Sequence, residues 1–131
     1  MTVRVFDASA ILALLGNEAG ADKVARLLDD SGDAALVSAA NMAEVLSKLV
    51  DRGVTEADAV LIWRELRLCG VPLDEEQATA AAALRKGTRQ LGLSLGDRCC
   101  LALAQLRPNA QVVTADRTWK ALGGFRFDFI R

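Results

Sequence analysis

Apolar and polar positions repeat with two different periods along this chain, and the switches between them divide it into alternating strands and helices. Residues 3–6 read as a short strand, with basic Arg4 set between apolar neighbours, ending at Asp7. A helix follows over about residues 9–15 and stops at Gly16, where a left-handed cap fits. Within residues 18–30, Ala21, Val24, Ala25, Leu27 and Leu28 share one helical face. The Ser31-Gly32-Asp33 turn ends that helix, and residues 35–38 form a second strand. The clearest helix spans about 41–52, where Met42, Val45, Leu46, Leu49 and Val50 make a core-facing stripe closed by Gly53. Thr55 with Asp58 resembles a capping box and opens a helix to about residue 68. Residues 69–73 give a short strand, which Pro72 places at a sheet edge because it cannot donate to a ladder.

Residues 75–91 read as one alanine-rich helix with acids first and bases last, matching the helix dipole. Residues 97–106 are apolar on nearly every side and are expected to be buried. Pro108 and Asn109 turn the chain into a strand at 111–114. A short helix near 117–122, the Gly123-Gly124 turn and a strand at 125–130 complete it. Strands alternating with helices imply a single α/β domain over 1–131: a mainly parallel, five-stranded sheet flanked by helices on both faces.

Composition narrows the chemistry. A chain of 131 residues with 52% hydrophobic content is one domain by length and able to bury a real core. Sixteen basic against 17 acidic residues leave a net charge of −1, which argues against coating nucleic acid non-specifically. It leaves room for holding nucleic acid locally, through metal ions and a few arginines. The chain has no histidine and no tyrosine, so Ser-His-Asp and Cys-His catalysis, histidine-based ribonuclease chemistry and histidine-ligated zinc are all excluded. The three cysteines, Cys69, Cys99 and Cys100, have no Cys-x-x-Cys spacing and read as small buried hydrophobes in a reduced cytoplasm. Asp7 interrupts any signal-peptide layout, and the uncharged stretch 8–17 is too short to span a bilayer. A cytoplasmic protein with no membrane partner is expected.

What remains is carboxylate chemistry. Ligands of open parallel sheets bind beyond the carboxyl ends of strands. Asp7 sits at that end of the first strand and Asp116 just past that end of the fourth. Asp97 opens the buried helix feeding the fourth strand, and Glu44 falls in the first turn of the helix after the second. Glu44 lies opposite its helix's apolar stripe, a position that serves a cleft or plain solvent equally. Taken singly, Asp7, Asp97 and Asp116 suit helix N-caps as well. Gathered on one sheet edge, four carboxylates suit magnesium or manganese, which take hard oxygen ligands and keep several waters. Two such ions stabilise the attacking and leaving oxygens of an in-line displacement at phosphorus.

At these residues a resemblance becomes specific. Asp7-Ala8-Ser9 after an apolar strand, Asn41-Met42-Ala43-Glu44, Ser94-Leu95-Gly96-Asp97 before the run from Cys99 to Ala104, and Val112-Val113-Thr114-Ala115-Asp116-Arg117 with Trp119 resemble, in order, the acidic motifs of PIN domains. Size and compactness resemble the VapC-type toxins of VapBC toxin–antitoxin pairs. The resemblance implies an endoribonuclease dependent on Mg2+ or Mn2+ that cuts structured RNA and arrests translation. In it Asp7, Glu44, Asp97 and Asp116 hold metal, directly or through water, and Ser9 and Thr114 steady the carboxylates by hydrogen bonds. A metal-bound hydroxide attacks phosphorus, leaving a 5′-phosphate and a 3′-hydroxyl. Thr118 departs from the pattern, since many members carry a further acid or amide there. The implied partners are RNA, a VapB-type antitoxin whose C-terminal segment often places an arginine in the acidic cleft, and a second copy in a homodimer.

Arg85, Lys86 and Arg89, at one-turn spacing, are either a solvated basic face or contacts to RNA phosphates; Arg98 and Arg117 flank the acids and offset charge or touch RNA. Trp63 and Trp119 are read as core or interface anchors, and residues 21–28 and 60–68 as candidate surfaces for the dimer and the antitoxin. A receiver domain is disfavoured because Phe6 adds no second acid beside Asp7, and a haloacid-dehalogenase-type phosphatase because Ser9 stands where its second Asp belongs. No Gly-x-Gly-x-x-Gly or P-loop is present. The competing class is a catalytically silent PIN-like binding module, which is expected to have lost one or more of the four acids.

Overall fold

The computed structural model describes residues 2–131. Five strands, β1 (Arg4–Phe6), β2 (Ala35–Ser38), β3 (Cys69–Val71), β4 (Gln111–Thr114) and β5 (Arg126–Phe129), pair in the order β3-β2-β1-β4-β5 with every pairing parallel. Between them run α1 (Ala8–Leu15), α2 (Ala21–Ser31), α3 (Ala39–Asp51), α4 (Glu56–Glu65), α5 (Glu75–Ala83), α6 (Arg85–Thr88) and α7 (Leu95–Gln105), with short 3-10 turns at Gly32–Ala34, Arg89–Leu91 and Arg117–Ala121.

The inner strands are buried on both faces, which is why they read as unbroken apolar runs. Val5, Leu36 and Val112 stand abreast in register and pack toward α7, with Leu101, Leu103 and Trp119. Their strand neighbours Phe6, Val37 and Val113 face the other way, onto Ile11, Val24, Val45, Leu49 and Trp63 of α1–α4. Both tryptophans are core residues: Trp63 is 6% exposed and Trp119 0%. Trp63 is therefore not an open interface anchor, and the apolar side chains that α3 and α4 do present to solvent are Val50 and Leu61.

Three expectations are corrected. The helix expected over 75–91 is interrupted at Leu84, giving α5, α6 and a 3-10 turn. Gly87 weakens the helix interior, and Thr88, 2% exposed, turns its hydroxyl back to the Leu84 carbonyl at 2.7 Å, a bond that competes with the helical ladder. β3 ends before Pro72 and is an edge strand as expected, but Cys69 on it is exposed; only Cys99 and Cys100 are buried. Thr55 caps α4 by accepting from the Asp58 amide at 3.2 Å, while the reciprocal two-way box forms at α7 between Ser94 and Asp97.

Candidate active site

Strand order reverses at β1: the chain steps from β1 to β2 and β3, then returns to lay β4 on the other side. Connections that leave two adjacent parallel strands in opposite directions open a crevice beyond their carboxyl ends. Asp7 follows β1 directly and Thr114 ends β4, so both stand at the mouth of that crevice.

Asp7 is 3% exposed. It is the N-cap of α1, and its Oδ1 accepts from the Ala10 amide at 2.9 Å. The Ser9 hydroxyl lies 2.8 and 2.9 Å from its two oxygens, and the Thr114 hydroxyl donates to Oδ2 at 2.6 Å. Both hydroxyls are themselves oriented, because Ser9 Oγ accepts from the Ala115 amide and Thr114 Oγ1 from the Asp116 amide, each at 3.0 Å. With backbone N–H groups on their lone pairs, their protons point to the carboxylate. Burial nevertheless pushes the Asp7 pKa up to about 6; the bonds from Thr114, Ala10 and Ser9 offset part of that rise, and the charge of Asp97 adds to it.

A second group of residues is built on helix faces. Ser38, the last residue of β2, is the N-cap of α3, so that helix begins at Ala39 and Glu44 lies in its second turn rather than its first. Asn41, 1% exposed, donates from Nδ2 to Glu44 Oε1 at 2.8 Å and to the Gly96 carbonyl at 3.0 Å, joining α3 to the start of α7. Its Oδ1 has no partner among the described residues. A Cβ on Gly96 would run into the Glu44 carboxylate, so glycine here lets that acid lie against the start of α7, and a larger residue would make it swing away. Asp97 is the third residue of α7 rather than its cap: Oδ2 accepts from the Ser94 amide at 2.9 Å while its own amide donates to Ser94 Oγ at 3.1 Å. Partial burial raises the Glu44 pKa, Asn41 lowers it, Asp97 raises it and Lys48 lowers it. Asp7, Asp97 and Glu44 all bear on one buried thiol, Cys100, which burial first and those charges next hold well above its usual range. Asp116 caps the 3-10 turn after β4, its Oδ1 accepting from the Thr118 amide at 3.0 Å and the Thr118 hydroxyl at 2.6 Å. Thr118 thus supplies a hydroxyl where the resemblance would place an acid or amide.

The basic residues divide. Arg117 lies over the Phe129 ring, beside Asp116. Arg98 turns away, donating to the Ala81 carbonyl of α5 at 3.1 Å. Arg85, Lys86 and Arg89 are exposed on α6 and the turn before α7. Sequence reasoning missed the roles of Asn41, Gly96 and Lys48. Asn41 and Lys48, at i−3 and i+4 from Glu44, carried a legible signal, since those spacings share a helix face; Gly96 carried none without the packing of α3 on α7.

No ion pair among the described residues involves Asp7, Glu44, Asp97 or Asp116; the three present are Arg4–Asp30, Lys23–Asp128 and Arg131–Glu18. Nor, among the described residues, do three acidic or cysteine side chains converge tightly enough to chelate one ion alone. Asp97 and Asp116 are folded onto their own helix starts. The donor set still fits a hard divalent ion, since magnesium binds through one or two carboxylates and retains water for its other positions.

A family model described as PIN domain matches residues 4–124. No curated protein matches the sequence. Among solved structures the chain is similar to one from DNA-bound VapBC of Salmonella typhimurium, with TM-score 0.76 and 14% identity over 100% of both chains. It is also similar to one from a toxin–antitoxin complex of Klebsiella pneumoniae (TM-score 0.74, 17% identity) and one from FitAcB of Neisseria gonorrhoeae (0.69, 20%), each over 98% of both chains. At such identities these likenesses establish the fold.

Proposed function

The chain belongs to the PIN-domain family, and on that premise we propose that it is a metal-dependent endoribonuclease of the VapC toxin type. The observation that carries this reading is Asp7: a carboxylate buried at the switch point of a parallel sheet, gripped by two oriented hydroxyls and a backbone amide, with no cationic partner and with further acids nearby. Capping α1 does not require burial of the whole carboxylate, and a bound cation would offset what that burial costs. Asp7 holds Mg2+ or Mn2+, Ser9 and Thr114 fix its orientation, and Glu44, Asp97 and Asp116 bind directly or through water. Such an ion, when bound, offsets the charge developing at phosphorus during in-line displacement. Arg117, and Arg85, Lys86 and Arg89 on the approach to α7, hold RNA phosphates; Arg98, engaged with α5, takes no part.

The partners follow the same reading. The similar structures from Salmonella typhimurium and Klebsiella pneumoniae are VapBC or toxin–antitoxin complexes. A VapB-type antitoxin neutralises this chain, and the groove between α3 and α4, where Leu46, Val50 and Val60 are flanked by Ser47, Asp51 and Glu56, is an apolar surface available to it or to a second copy in a homodimer. Among the described residues no helix is long and apolar enough to cross a membrane; the toxin acts on RNA in the cytoplasm and arrests translation.

Purified protein incubated with total RNA, with and without Mg2+ or Mn2+ and beside Asp7→Asn, tests the reading. Discrete fragments with 5′-phosphate ends, dependent on metal and lost in the variant, are expected. A folded, antitoxin-free protein that cuts nothing under either metal would leave the silent binding module as the better reading.

A further inference from the structure

β5 is an edge strand, and one of its faces carries an aromatic row. Phe127 and Phe129 on the strand, and Phe125 just before it, lie on the side facing α7, all partly buried. Phe127 and Phe129 are stacked, with centroids 5.4 Å apart, and Phe125 lies 5.7 Å from Phe127. Buried Trp119 backs the row at 6.2 Å from Phe127. Packing accounts for rings at these positions but not for what crowns them. The exposed Arg117 guanidinium lies 5.2 Å above the Phe129 centroid and donates to the Arg131 carbonyl at 3.0 Å. Arg131 is in turn tied to the Ala19 carbonyl at 2.9 Å, and Lys23 holds the Phe129 carbonyl at 2.8 Å. The guanidinium is therefore held over an aromatic ring and tethered through one nitrogen to residue 131.

Its place matters as much as its shape. Phe129 pairs in register with Thr114, whose hydroxyl grips Asp7, and Arg117 follows Asp116 directly. The platform thus begins two strands from the buried carboxylate, with β4 between them, and runs along β5. Planar cations and aromatic faces beside an acidic centre match unpaired RNA, whose bases stack on guanidinium planes while the remaining N–H groups take phosphate.

We infer that Arg117 lying over Phe129, with the phenylalanine row beside it, is the platform that receives an unpaired RNA base next to the cleavage site. The inference rests on the ribonuclease reading and names its substrate as single-stranded RNA. A base lies on the outer face of the guanidinium, and a neighbouring phosphate accepts from its edge. The platform favours purines, which offer the larger stacking face, and it discriminates by stacking rather than by charge alone.

The test uses the full chain carrying Asp7→Asn, with Mg2+ present, and fluorescently labelled oligoadenylate and oligouridylate as probes. In that background Arg117→Lys keeps the charge and loses the plane, and Phe129→Leu keeps apolar bulk and loses the ring. Each is expected to weaken oligoadenylate binding about 5- to 100-fold and to erase the adenylate preference. Arg117→Lys should leave the salt dependence unchanged, whereas Arg117→Ala should lower its slope by about one. A residue of purely structural importance would move neither base preference nor salt slope. Affinity and preference unchanged in both variants, while the Asp7-intact protein still cleaves RNA, would overturn the platform alone. No binding in the background and no cleavage by the intact protein would overturn platform and ribonuclease reading together. Unchanged affinity accompanied by a fall in mass on Phe127→Ser, by light scattering, would make this face an interface between copies and likewise overturn the inference.

Discussion

The two parts of the acidic site are built differently. Asp7 is held by the sheet: it leaves β1, Thr114 leaves β4, and the hydroxyls that grip it are set by backbone amides of the same strand exit. Glu44 and Asp97 are held by helices: one hangs from α3 against Gly96, the other bends back onto the start of α7, and Asn41 is the link between them. The first part is buried and over-determined; the second is half-open and rests on the packing of α3 against α7. A strand-end carboxylate keeps its geometry with no ligand present, whereas helix-face carboxylates can rotate toward one.

The sharpest way to break that comparison is pH. The folded pKa of Asp7 is raised from 3.8 to about 6, so its contribution to stability is full below about 3.8 and is lost as pH rises through 6. The difference amounts to about 3 kcal/mol. Thermal melts of the metal-free protein between pH 4 and 7.5 should fall accordingly. Asp7→Asn should remove this fall and be more stable than the parent at neutral pH, and parallel curves would show that Asp7 carries no such strain. Thr114→Val comes next: it keeps the shape, removes the 2.6 Å bond and leaves the Asp116 amide without its acceptor. Titration calorimetry with Mn2+ should show affinity reduced about 10- to 100-fold. The smallest effect is expected of Gly96→Ala, whose methyl group meets only the mobile end of Glu44. Its melting temperature should hold or rise, since alanine suits a helix better, while Mn2+ affinity drops by roughly tenfold at most. A larger loss from Gly96→Ala than from Thr114→Val would invert the comparison and make the helical part the better organised of the two.

The same division explains what could be read before the fold was known. Asp7 and Asp116 were legible because a strand's end is marked by local pattern, and strand ends of a parallel sheet share one edge. The helix boundaries near the other acids were not. α3 starts at Ala39 because Ser38 serves both as the last strand residue and as the cap, which moves Glu44 to the second turn. Asp97 looked like a cap and proved to be the returning half of a box opened by Ser94. Arg98 looked like a neighbour of the acids until α5 supplied a carbonyl on its other side. The first two turn on which serine serves as a cap, a local choice that periodicity does not mark, and the third on which element packs against a residue, which one chain's pattern does not carry. Exposed Cys69 is the same lesson at the sheet edge.

The bond from Thr114 to Asp7 joins residues 107 positions apart. On the ribosome, β1 emerges early and waits for β4, the penultimate strand, before Asp7 acquires its grip and its burial. A nascent chain that stops short of β4 holds Asp7, Glu44 and Asp97 but neither Asp116 nor the grip on Asp7. The order of synthesis therefore completes the acidic centre only once β4 has joined the sheet.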